Sequence, residues 1–217
     1  MVLEDVVMGE NERTVLENLQ IGMSDNFTQA DFIEAINHGV LVSRLAYQIA
    51  MELQETKEFC YDIALAGLLH DIGKLKIQSY LYGRSNDTLA IEEMKYVRMH
   101  STYSYEILKE RNYNSNILES VYHHHENYDG SGYPDNLIGK AIPYGARILR
   151  TCDVFAALVS NRPYRAAFDI DTALELMIDE VKNFDMQIFL AFQRVLHSEQ
   201  FSKIRELIRI ANAKYTY

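Results

Sequence analysis

From Thr28 to Leu53 the chain reads TQADFIEAINHGVLVSRLAYQIAMEL. Phe32, Ile36, Val40, Leu41, Leu45 and Ile49 recur at the spacing that lines one face of an α-helix. Thr28 and Asp31 stand in a capping-box arrangement, with Asp in place of the usual Glu, so a helix is predicted to start there. Two polar residues interrupt the segment. Glu34 and His38 lie four apart and so leave the same face of that helix. The pattern repeats from Lys57 to about Ile72, through Ala64, Leu65, Leu68 and Leu69.

Working outward, the punctuation favours long helices. All three prolines, Pro134, Pro143 and Pro163, fall late in the chain, and four of the ten glycines, Gly130, Gly132, Gly139 and Gly145, share that neighbourhood. Helices are predicted near Glu92 to Arg111, Asn116 to His125 and Pro143 to Ser160, with two or three more between Asp171 and Lys214. Asn11 to Gln20 reads as a short amphipathic opener, and Gly83 to Thr88 as a polar connection. No run alternates apolar and polar residues between hairpin turns, so strands are not expected. The expected fold is all-α: a short N-terminal extension over 1–24, then one helical domain over 25–217.

Composition sets bounds on partners. The 217 residues carry 21 Lys and Arg against 31 Asp and Glu, a formal charge of −10, with 48% apolar residues. That is ordinary globular composition. The negative field disfavours a nucleic acid polymer but leaves room for a small phosphate ligand if the site brings its own positive charge. No apolar stretch approaches the ~20 residues of a membrane span. The N-terminus has no basic export region, and Cys60 and Cys152 form no thiolate zinc or disulfide pattern. A cytoplasmic protein is expected.

Polar residues sit where packing would favour hydrophobes. Besides Glu34 and His38, His70 and Asp71 close an apolar helix, and Asp153 lies mid-face between Leu149 and Ala156. Burying such groups singly is costly. A metal cluster at the centre of a helical bundle satisfies them together. Histidines and carboxylates without cysteine suit catalytic iron, manganese or zinc. Two ions about 4 Å apart form a clamp for in-line displacement at phosphorus. Adjacent residues on a helix diverge by about a hundred degrees, so His70 and Asp71 reach a common ion only at a helix end or through a bridge, and Asp71 is the natural bridge.

Two longer motifs carry a resemblance. Gly67-Leu-Leu-His70-Asp71-Ile-Gly73-Lys74 resembles the HD signature of metal-dependent phosphohydrolases. His124-His125-Glu126-Asn-Tyr-Asp129-Gly130-Ser-Gly132-Tyr133-Pro134 is similar to the HHE-x-x-DG-x-GYP signature of their HD-GYP subclass. Asp153 to Leu158 and Arg162 to Arg165 resemble its following segments. The resemblance implies an HD-domain helical bundle with a Gly/Pro-rich GYP loop and a multinuclear metal site. It implies a phosphodiesterase that opens cyclic di-GMP to pGpG, and often GMP, with a metal-activated hydroxide. The metal ligands carried over are His38, His70, Asp71, His100, His124, His125 and Asp153. Glu34 stands where some members hold a third ion, so two or three divalent cations, iron or manganese, are implied. Lys74 and Arg162 match phosphate-contacting positions, Lys74 also as a proton donor beside the catalytic Asp71, and Tyr133 is placed at the substrate rim. The GYP loop implies a docking surface for a diguanylate cyclase of the GGDEF type; a homodimer stays open.

Departures from the pattern bear on specificity. The segment after Leu75 lacks the family's prolines, with Gln78 and Gly83 to Ser85 in their place, and Ser104 stands where glycine is common. All are expected in a loop near the substrate entrance. Hydrolysis of cyclic GMP-AMP, or a sensing module that binds without turnover, are the alternatives. His123 is expected to face away from the ligands, His197 to lie at the surface, and most of the fifteen tyrosines to serve packing.

Overall fold

The computed structural model describes residues 29–81, 97–162 and 165–213, with side chains from residue 35 onward except those of 78–81. The expected opener at Asn11 to Gln20, the Thr28 cap and the polar connection at Gly83 to Thr88 lie outside the described residues. So do the start of the helix expected near Glu92 and the expected end of the last helix at Lys214.

The helices follow in order: α1 (Gln29–Glu52), α2 (Lys57–Leu69), α3 (Lys74–Leu81), α4 (His100–Glu110), α5 (Ser115–Tyr122), α6 (Tyr144–Leu158), α7 (Ile170–Asp179), α8 (Met186–Leu196) and α9 (Phe201–Ala213). Among the described residues there is no strand, only a backbone bridge between Arg162 and Arg165. The all-α expectation therefore holds. Helix α3 was not expected; its KLKIQSYL sequence has little apolar periodicity, and it occupies the first part of what was read as an entrance loop.

Local chemistry starts the helices where the sequence supplies it. Thr56 caps α2 by accepting from Phe59 N–H at 3.2 Å, and Asn114 caps α5 by accepting from Ile117 N–H at 3.0 Å. Asp169 and Asp185 do the same for α7 and α8. Each such cap contributes about 1 kcal/mol.

α1 is the hub. It packs against α2, α6, α8 and α9, while α5 bridges α2, α4 and α6. Leu45, Ile49, Ile63, Leu69, Ile148, Leu149 and Phe155 are buried together. The Phe155 ring meets Phe192 at 5.0 Å and Phe201 at 6.3 Å between centroids, tying α6 to α8 and α9. Full burial of each such side chain is worth about 1.5–3 kcal/mol. α1 and α2 approach closely because Gly39 and Gly67 face each other's helix: a Cβ at Gly39 would stand 2.6 Å from the Leu68 carbonyl oxygen. That approach brings His38, mid-way along α1, beside His70, at the end of α2.

Candidate metal centre

Five elements converge on one buried cluster. His38 comes from α1. His70 and Asp71 come from the turn that ends α2, His100 opens α4, His124 and His125 follow α5, and Asp153 comes from the middle of α6. His70 and His124 are fully buried, and His38 and His100 nearly so. These side chains fall into two sets with ligand atoms within 4.8 Å of one another: His38, His70 and Asp153 in one, Asp71, His100, His124 and His125 in the other.

Asp71 joins the two sets. Its Oδ2 lies 3.3 Å from His70 Nε2 and 3.9 Å from His38 Nε2. Its Oδ1 lies 3.3 Å from His100 Nε2 and 4.0 Å from His124 Nε2. Asp153 faces the first set, with Oδ1 at 3.0 Å from His38 Nε2 and 3.6 Å from His70 Nε2, and its Oδ2 reaches 4.0 Å from His125 Nδ1. His70 thus stands at the end of α2, and Asp71 lies between the two ligand sets.

The tautomers are set by the backbone. His70 Nδ1 donates to the Gly67 carbonyl at 2.8 Å, His100 Nδ1 to Val97 at 2.6 Å, and His124 Nδ1 to Val121 at 2.6 Å. A carbonyl only accepts, so each Nδ1 carries a proton; His100 and His124, kept neutral by burial, then direct an Nε2 lone pair inward, and His70 turns its Nε2 to the Asp71 and Asp153 carboxylates,. His100 and His124 Nε2 atoms then face each other at 3.2 Å with no proton between them. His70 Nε2 and Asp71 Oδ1 are buried without a hydrogen-bond partner. Lone pairs gathered in this way fit divalent cations.

Electrostatics agree. Burial holds His124 and His125 well below the usual imidazole pKa, assisted by their mutual repulsion for His124, so both stay neutral. Burial also lowers His38 and His100. His70 is the exception: burial opposes its charge, yet Asp71 and Asp153 raise its pKa to about 10. Burial would raise Asp71, but His70 and Lys74 beside it hold the carboxylate ionised. A positive charge is therefore favoured where the two carboxylates meet.

The rim carries cations and an aromatic wall. Lys74 Nζ donates to Asp71 Oδ2 at 2.5 Å and is half exposed. Tyr133 stacks on the His125 ring at 4.7 Å between centroids, with the Arg98 guanidinium carbon 5.2 Å from the Tyr133 ring centroid. Arg150, whose guanidinium acts on Asp153 and Tyr133, donates from Nε to Asn127 Oδ1 at 2.9 Å. Arg162 lines a small cavity together with His38. Glu34 belongs to α1 one turn before His38, and its side chain lies outside the described residues.

Several roles were not read from the sequence. Ser104 is not at an entrance loop: it is buried on α4, and its Oγ accepts from Gly73 N–H at 2.8 Å. This bond pins the turn carrying Asp71 to the helix carrying His100. Buried Glu126 accepts from Asp135 N–H at 2.7 Å and Leu137 N–H at 3.2 Å, fastening the glycine-rich loop that presents Tyr133. Arg150 sits one turn before Asp153, a spacing that could have flagged it. His123 faces away from the cluster as expected, but it is buried, 3.5 Å from Glu119. His197 is exposed.

Comparison with known proteins fits this geometry. A family model described as "HD domain" matches residues 9–188. The chain belongs to the HD-domain family. Among its HD-domain relatives, the cyclic di-GMP phosphodiesterase response regulator RpfG of Xanthomonas campestris is 38% identical over 170 residues, 76% of this chain and 43% of that protein. The 3'3'-cGAMP-specific phosphodiesterase 1 of Vibrio cholerae is 32% identical over 202 residues, 91% of this chain and 44% of that protein. The chain thus spans less than half the length of these curated HD-domain relatives. A solved HDG"Y"P protein from Bdellovibrio bacteriovorus superposes with a TM-score of 0.61 at 19% identity, covering 90% of this chain and 68% of that one, and supports the fold. Among the described residues no helix is long and apolar enough to cross a membrane.

Proposed function

We propose that this HD-domain protein is a cyclic dinucleotide phosphodiesterase of the HD-GYP kind, opening cyclic di-GMP to pGpG and onward to GMP. The observation that carries the reading is Asp71, which turns one oxygen to each of two adjoining ligand sets. His38, His70 and Asp153 would hold one divalent cation, and His100, His124 and His125 a second, with Asp71 shared; Glu34 is proposed for a third. Such cations, iron or manganese by donor chemistry, would polarise a phosphoryl oxygen and lower the pKa of bound water.

The chain's own groups account for binding and proton movement. Lys74, hydrogen-bonded to Asp71, keeps an ammonium proton at the edge of the centre, where it can pass to a departing ribose alkoxide. Arg150 and Arg162 offer planar guanidinium groups for phosphate oxygens on the two sides. Tyr133, its ring in contact with His125 and Arg98, offers its hydroxyl to the substrate while shielding His125 from water,. These cations offset the negative field of the whole chain for a dianionic ligand. Names and coverage of the relatives support cyclic di-GMP, and the broad match to a cGAMP-specific enzyme makes 3'3'-cGAMP the second substrate to test. The buried free thiols Cys60 and Cys152 support a reducing compartment, here the cytoplasm. The glycine-rich loop, with Ile138 exposed at its tip, is the proposed docking surface for a diguanylate cyclase.

The test is elemental analysis of protein purified without oxygen, then chromatography of products from cyclic di-GMP and 3'3'-cGAMP. Two or three metal equivalents and a linear product are expected. Tight dinucleotide binding with no product under both iron and manganese would replace catalysis with sensing.

A further inference from the structure

The family match ends at residue 188, yet α9, beyond it, lines a cavity together with His38. Buried Phe201 and Ile204 and partly buried Ile208 form one stripe that seats α9 on the core. One turn further along that stripe, Asn212 meets the segment leaving α6. Its Oδ1 accepts from Asn161 N–H at 2.9 Å, its backbone carbonyl accepts from Asn161 Nδ2 at 3.2 Å, and its Nδ2 donates to the Val159 carbonyl at 2.8 Å. Asn161 in turn accepts from Ala167 N–H at 2.8 Å, and the next residue, Arg162, exchanges backbone bonds with Arg165 at 2.8 and 3.1 Å. Asn212 thereby ties Val159 and Asn161 to α9, and Asn161 in turn holds Ala167. Only an amide serves here, because it offers an acceptor to Asn161 and a donor to Val159 at once. Leu207, Ile210 and Asn212 of α9 line a small cavity with His38 and Arg162.

We propose that α9 is a wall of the substrate pocket and that Asn212 is a positioning residue that, through Asn161, sets Arg162 beside the His38 side of the centre. There the Arg162 guanidinium receives one phosphate group, with Leu207 and Ile210 as its apolar flank. This rests on the phosphodiesterase reading and assigns to that reaction a part of the chain outside the family pattern.

The test uses the full chain loaded with manganese. Asn212→Ala removes two of the three tethering bonds and is expected to raise KM for cyclic di-GMP about tenfold, with kcat falling less and metal content unchanged. Asn212→Asp keeps the acceptor for Asn161 and should recover part of that loss. In an Arg162→Ala background the Asn212→Ala change should add less than about twofold, because the positioned group is already gone. An unaltered KM, effects that multiply with Arg162→Ala, or metal loss in step with KM would each overturn the proposal. Bis(p-nitrophenyl) phosphate, a phosphodiester without purines, separates the two layers. If wild-type protein cleaves it but no cyclic dinucleotide, the substrate reading fails and the same KM criteria on this ester decide the role of Asn212. Protein that cleaves neither overturns both.

Discussion

Gly73→Ala is the most informative single change. Gly73 sits in the turn between α2 and α3, where an added Cβ would stand 2.1 Å from the His100 carbonyl oxygen and 2.6 Å from Ser104 N. Ordinary contact begins near 3.4 Å, so the turn and α4 must separate by 3.4 − 2.1 = 1.3 Å. Both obstacles are backbone, and neither can swing aside. The separation acts directly on the 3.3 Å approach between Asp71 Oδ1 and His100 Nε2. Metal sites tolerate about ±0.2 Å in ligand distance, and disturbing groups that orient ligands costs 10–100-fold in metal affinity. Overpacking adds about 1–3 kcal/mol of destabilisation, or a Tm loss of roughly 2–12 °C for a chain of this size. The assay pairs Tm with metal content after dialysis against a weak chelator. Gly145→Ala is the control, since its Cβ would meet the Ser120 hydroxyl and the Ile63 side chain, groups that can swing aside, and no ligand-bearing backbone. It should cost stability while retaining metal. Gly73→Ala protein that keeps its full metal complement and a kcat within threefold of wild type would refute the view that this contact sets the site.

Asp71→Ala or His70→Ala should lower hydrolysis by at least ~10³-fold, because each removes a group that both carries charge and faces the shared point; near-normal turnover in either would end the phosphodiesterase reading. Glu34→Ala should reduce bound metal by about one equivalent by elemental analysis, and unchanged stoichiometry would mean two ions. In chelator-treated protein, stability by denaturant titration should peak near pH 6.5. Below that pH the unfolded chain takes up protons that buried His38, His100, His124 and His125 refuse, their folded pKa values being depressed, so stability falls with acidity,. Above it, the contribution of His70, present in full below the unfolded pKa, is lost as pH rises toward about 10. A flat profile from pH 5 to 9 would contradict this assignment of charges.

The sequence revealed the parts of the molecule that repeat or cluster locally. α1, α2 and α6 were legible because their apolar faces keep a 3.6-residue period, and Asp153 stood out because it interrupts one of them. α3 escaped because KLKIQSYL has no clear apolar face, and its position follows from the turn at Asp71 to Gly73. His70, Asp71, His124, His125 and Asp153 fall within short motifs, whereas His38 and His100 lie outside them and were assigned by the resemblance. Ser104, Arg150 and Asn212 went unread for a different reason. Ser104 acts on Gly73, 31 residues away, and Asn212 on Asn161, 51 residues away. Nothing in either local stretch announces such a partner. Ser104 in particular looked like a departure at an entrance loop, when its hydroxyl in fact serves the turn beneath the centre.

The three imidazoles that donate to the carbonyl three positions back are each fastened to their own turn of chain. Aim and protonation are inherited with a few neighbouring residues and need no distant helper. A segment grafted from a relative would therefore arrive with its ligand already pointing correctly, and evolution could exchange the surrounding helices piecemeal without having to retune the nitrogens. Drift in the periphery and constancy at the hub would be the expected signature of such modular inheritance.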